Sequence, residues 1–125
     1  MGYNINERQA LGMCTKLELT TILNIFAKSV REVFCDKLSE VVLFGSYARG
    51  DNHDASDIDI MIVADIEEDA VMKYMYEMSD FLSELSLEYE VMISPVIEPL
   101  SRYERYKDVI PFLQNVQREG IRIAA

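Results

Sequence analysis

With 125 residues, 50% of them apolar and 27% charged, the chain has the composition of one globular domain, expected to span residues 1–125, and not that of a disordered or fibrous protein. A formal net charge of -10 gives a surface that repels a phosphate backbone and excludes long nucleic acid as an expected partner. Cys14 and Cys35 lack CxxC or Cys/His spacing, which excludes a structural zinc site and suits reduced, packed thiols in a cytoplasmic protein; no signal pattern or membrane-length apolar run appears.

In chain order, residues 1–14 carry mixed polar residues without a period and are expected to be a lead-in. From 15 to 36 the apolar positions Leu19, Ile22, Leu23, Phe26, Val30, Val33 and Phe34 recur at three- and four-residue steps. That spacing predicts an amphipathic helix, with Thr15 as N-cap, Glu18 completing a capping box, and Leu17 and Ile25 forming a second buried face. The apolar run 41–44 predicts a strand buried on both faces. Gly45 and Ser46 end it. A glycine there lets the backbone approach a ligand, the next residues can open a short helix whose N–H groups favour anions, and the Ser46 hydroxyl adds a donor. Arg49 lies three residues on, placed to carry its guanidinium back toward a bound phosphate. Residues 50–56 read as a polar loop with Asp51, Asn52, His53 and Asp54 at its tip, His53 as a solvent residue and not a base. In the next apolar run Asp57 and Asp59 alternate with Ile58 and Ile60, so both carboxylates share one strand face. Two such carboxylates repel each other unless a cation sits between them, and hard oxygen ligands suit magnesium or manganese.

Residues 66–87 predict a second amphipathic helix: Val71, Met75, Met78, Leu82 and Leu85 share a face opposite Asp69, Lys73, Glu77, Asp80 and Glu84. Its methionines, Met72, Met75 and Met78, read as core with a partner surface as the alternative. Residues 88–94 alternate, with Glu88, Glu90 and Met92 on one face, and predict a third strand ended by Pro95. Pro99 and a capping box at Ser101 and Glu104 open a last helical region that Pro111 interrupts, its second part running to Glu119 and stopping at Gly120. Tyr103, Tyr106, Phe112, Leu113 and Val116 are expected to cover the open side of the sheet, and Arg102, Arg105 and Lys107 form a basic cluster. The fold class is α/β or α+β: a small mixed β-sheet of at least three strands flanked by helices.

Gly45-Ser46, ten residues, then Asp57-Ile58-Asp59 resembles the signature of the nucleotidyltransferase superfamily related to DNA polymerase β. GSYARGD followed by SDIDI is closer still to the minimal nucleotidyltransferases, often antitoxins beside HEPN-domain toxins. The resemblance implies that Asp57 and Asp59 hold divalent metal (Mg2+, or Mn2+), that Gly45, Ser46 and Arg49 hold the triphosphate of ATP, and that AMP moves to a hydroxyl, a tyrosine of a HEPN-type toxin. Family members carry a third carboxylate on the third strand, commonly within Val-Asp-Ile or Val-Asp-Leu. Here Val91-Met92-Ile93 has methionine at that place, and Glu90, about 7 Å up the expected strand, is the candidate for metal binding and catalysis, with a surface acid as the alternative. Two rivals stand beside transfer to a toxin: a catalytically weak antitoxin acting by complex formation, and a small-molecule nucleotidyltransferase. The chain is expected to lack the second substrate domain of antibiotic-modifying relatives, and the sequence leaves homo-oligomerisation open.

Overall fold

The computed structural model describes residues 16–53 and 55–124, so the lead-in, Cys14, the Thr15 cap and Asp54 lie outside the described residues. Around the apolar run 41–44 the chain forms β1 (Leu38–Phe44), followed by α2 (Gly45–Arg49), β2 (Ile58–Ala64), α3 (Val71–Tyr89), β3 (Ile93–Pro99), α4 (Leu100–Tyr106), α5 (Pro111–Glu119) and β4 (Ile121–Ala124), with α1 (Lys16–Phe34) preceding them. The strands stand in the order β3-β2-β1-β4. β1 runs antiparallel to both of its neighbours and β3 parallel to β2, so the sheet is mixed as expected. A parallel pair needs a crossover, and α3 supplies it.

Side-chain alternation divides the sheet into two packed faces. Val41, Leu43, Ile58, Ile60 and Ile62 meet Ile22, Phe26, Val30 and Phe34 of α1 and Met78 and Leu85 of α3. Val42, Met61 and Val63 point the other way, onto Tyr103 of α4 and Leu113 and Val116 of α5. Each such aliphatic side chain taken fully out of water stabilises the fold by about 1.5–3 kcal/mol. Phe34 and Tyr74 stack at 4.5 Å between α1 and α3.

Several expectations change. Leu17 and Ile25 are exposed and form no second buried face; Cys35 is also exposed, in a 3-10 turn where its φ is 54°. The methionine stripe divides, with Met78 fully buried, Met75 partly buried and Met72 exposed. α4 begins at Leu100 behind Pro99 with no side-chain cap, so the capping box at Ser101 does not form. Gly120 ends α5 as expected, but with extended backbone; its use is close approach, since a Cβ there would overlap the Val116 carbonyl oxygen and Val42 Cγ1. The basic cluster is engaged locally: Arg102 pairs with the buried Glu98, and Arg102 and Arg105 lie over the Tyr106 ring.

The largest correction concerns the third strand. Helix α3 continues through Tyr89, Glu90 is its C-cap in left-handed conformation (φ 55°), and β3 starts only at Ile93. The alternation at 88–92 was a helix end, because Leu82, Leu85 and Tyr89 extend the buried helical stripe. Pro95 lies inside β3, opposite Ile60; an edge strand tolerates proline where its nitrogen faces away from the neighbour. A glutamate at positive φ carries a steric cost that glycine does not, so Glu90→Gly is expected to stabilise the fold by about 1 kcal/mol in chemical denaturation.

Candidate active site

The β1–β2 pairing puts Phe44 opposite Asp59, and Gly45 follows directly, so the turn lies against that carboxylate. Gly45 has φ 75°, and a Cβ there would overlap Asp59 Oδ2. Only glycine combines that backbone with that approach. Asp59 is half-buried on the face of Met61 and Val63, while Asp57, just ahead of β2, is exposed. Burial first, and the Asp57 charge second, hold the Asp59 carboxyl above its ordinary value, with Arg49 acting weakly against them. Asp57 Oδ2 accepts a 3.0 Å hydrogen bond from the Ser94 hydroxyl, and Ser94 stands opposite Asp59 in the β2–β3 register.

The sequence-derived site residues therefore separate into two groups. Gly45, Ser46, Asp57 and Asp59 come together at one end of the sheet. Arg49 is on the same short helix, but its guanidinium is taken up by Asp51 at 3.2 Å and Glu119 at 3.4 Å. Those acids, Asp51 above all, raise its pKa further. Glu90 does not join them: it caps α3, outside any strand. Among the described residues no three His, Cys, Asp or Glu side chains cluster as a metal cage.

The donor set still fits a hard divalent cation. Two carboxylates, one of them kept from ionising easily by its surroundings, favour a positive charge between them. Magnesium is commonly held by one or two carboxylates, with substrate phosphates and water filling the other positions. Beside the turn, Phe44, Gly45, Arg49, Phe112, Asn115 and Glu119 line much of a 230 Å³ cavity in which the Phe44 and Phe112 rings meet edge-on at 5.4 Å. Sequence reasoning missed Ser94 and this aromatic wall. Nothing in the linear pattern marks either, because both depend on which residues the sheet and α5 bring alongside.

The strand, the glycine-serine turn and the carboxylate pair at the start of the adjoining strand fit the nucleotidyltransferase class of enzyme. The nucleotidyltransferase domain family matches residues 26–117, and the chain belongs to that family. It is similar to MJ0141 of Methanocaldococcus jannaschii, a candidate protein adenylyltransferase, with 34% identity over 109 residues, 86% of this chain and 100% of that one. It is also similar to the protein adenylyltransferase MntA of Thermococcus cleftensis, at 35% identity over 75 residues, 60% of this chain and 73% of that one. Among solved structures, a candidate nucleotidyltransferase from Sulfolobus solfataricus superposes with TM-score 0.52 and 29% identity, covering 84% of this chain and 81% of that one. A crystal structure of the toxin–antitoxin MntA-HpeT shares the fold, with TM-score 0.53, 22% identity, and coverage of 82% and 73%. Among the described residues no helix is long and apolar enough to cross a membrane.

Proposed function

We propose that this chain, as a single nucleotidyltransferase domain in the cytoplasm, transfers AMP from ATP to a hydroxyl of another polypeptide, a tyrosine of a cognate HEPN-type toxin, and so acts as its antitoxin. The observation that carries the reading is Asp59 held against the Gly45-Ser46 turn with the Asp57 charge acting on it. The turn offers backbone N–H groups and the Ser46 hydroxyl to the triphosphate. Asp57 and Asp59 are the residues that would hold divalent magnesium, which supplies neutralisation of charge at the α-phosphate and the departing pyrophosphate. Ser94 fixes the Asp57 carboxylate by its hydrogen bond, a positioning role. Arg49 reaches a phosphate only by leaving Asp51 and Glu119, and exposed ion pairs of this kind, screened by solvent, hold it weakly. Relatives named as protein adenylyltransferases and the MntA-HpeT assembly support a polypeptide acceptor and a toxin partner.

One observation favours a second reading, a binding antitoxin with weak turnover: Ser94, not an acid, is the β3 residue that meets Asp57, and Glu90 stands at the C-cap of α3 and not on β3. A single experiment separates the two. The chain is mixed with the HEPN-type toxin and α-labelled ATP, with magnesium or with a chelator, and toxin label and RNase activity are followed. Label on the toxin and loss of RNase activity that both require magnesium support transfer. Neutralisation that is equally complete with a non-hydrolysable ATP analogue makes the binding reading the correct one.

A further inference from the structure

In a displacement at phosphorus, the attacking hydroxyl and the leaving pyrophosphate lie in line on opposite sides of the transferred group. The strand order fixes those sides: the Gly45-Ser46 turn follows β1 on one side of the Asp57–Asp59 pair, and β3 flanks the pair on the other. With the triphosphate on the turn, as the transferase reading above has it, the β3 side is the one left for an acceptor. Along that edge runs a 430 Å³ groove lined by Leu82, Ser83, Ser86, Leu87, Met92 and Ile93. Leu87 is 80% exposed and Met92 62%, and the two stand together in one groove. The groove reaches the same end of the sheet as the site: the Met92 carbonyl accepts the Ile58 N–H at 2.9 Å, and Ser94, two residues on, holds Asp57.

The segment that forms the groove carries charge of one sign. Between Lys73 and Arg102 the sequence contains no basic residue, while Asp80, Glu84, Glu88 and Glu90 are all exposed on or just after α3. We propose that this groove docks the acceptor, a polypeptide segment that presents a leucine-like side chain near its reacting hydroxyl and lysine or arginine on either side. The apolar floor receives the aliphatic side chain, the acidic rim receives the cations, and the same rim repels nucleic acid. The reacting step keeps its balance: the acceptor oxygen forms a bond to the α-phosphorus, the bond to the pyrophosphate oxygen breaks, and the hydroxyl proton passes to solvent.

Two synthetic tyrosine peptides test the surface, one with leucine and lysine flanks and one with the lysines replaced by glutamate, each incubated with α-labelled ATP and magnesium. Labelling of the lysine peptide at least tenfold faster is expected. Leu87→Glu, a change at an exposed position, should lower kcat/KM for that peptide about tenfold, mostly through KM, and leave magnesium-dependent ATP binding as it was. The paired reversal Glu84→Lys with Glu88→Lys should move the preference toward the glutamate peptide. Equal labelling, no labelling of either peptide, or unchanged kcat/KM in Leu87→Glu overturns the docking surface. Failure of the wild-type chain to bind magnesium-ATP has a different meaning, since it removes the transferase reading beneath the proposal.

Discussion

Gly45→Ala is expected to abolish magnesium-dependent ATP binding, weakening it by about 100-fold or more, and to cost about 1–3 kcal/mol of stability. Two effects combine. At φ 75° an alanine is strained by its own Cβ, and the same atom would occupy the space of Asp59 Oδ2. The strand carrying Asp59 is buried on both sides and cannot withdraw, so the side chain must rotate and the carboxylate leaves the position it shares with Asp57. Gly50→Ala is the control. Gly50 also has positive φ, 82°, but a Cβ there meets nothing within 4 Å, so it should lose only about 1 kcal/mol and keep nucleotide binding. Thermal melts beside calorimetric titration with an ATP analogue compare the pair. Equal binding by Gly45→Ala and Gly50→Ala would sink the claim that the glycine serves the carboxylate.

This dependence on close approach explains how much of the site could be read from the chain. Val41, Val42 and Leu43, and then Ile58 to Val63, are apolar runs whose meaning changes little with context, so β1, β2 and the turn between them were legible, and Asp57 and Asp59 with them. Glu90 was not. Its spacing from Met92 and Glu88 is compatible with a strand, and the deciding fact is that Tyr89 still packs with the helix, a tertiary contact. Left-handed backbone at a glutamate leaves no mark in the sequence. Ser94 acquires its partner only through the parallel register of β3 on β2, and a four-residue strand such as β4 is too short to show a period. Leu17 and Ile25 misled for the opposite reason: they are apolar, but α1 presents one face to the sheet and leaves them in water.

The sheet also divides the work of the site in space. β1 delivers the turn, β2 the carboxylates, and β3 the hydroxyl that steadies one of them, so three neighbouring strands each contribute at the same end. Two cavities flank this arrangement: an aromatic one beside β1 and α5, and an apolar groove beside β3 and α3. Function then follows from the surfaces that flank a common centre and not from the fold itself.

Asp59→Asn is expected to remove magnesium-dependent ATP binding, again by about 100-fold or more, and yet to make the metal-free protein more stable at neutral pH. The sign follows from the carboxyl itself. Burial, and after it the Asp57 charge, raise its pKa in the folded state above the ordinary 3.8. A group raised in this way contributes stability that is fully present below the unfolded value and is lost as pH rises through the folded value. The wild-type chain therefore loses stability across that window, and the amide, which does not titrate, loses none there. Melts of the two proteins in chelator should differ little on the acid side of the ordinary carboxylate range, diverge as pH rises through it, and stay apart at neutral pH with the variant higher. Magnesium reverses the order. A ligand present at a hundredfold over its dissociation constant stabilises by about 2.7 kcal/mol, and that increment belongs only to the protein that keeps both carboxylates. A variant that melts below wild type at neutral pH in chelator, or that gains as much as wild type from magnesium, would show that Asp59 is not the strained member of a cation-binding pair.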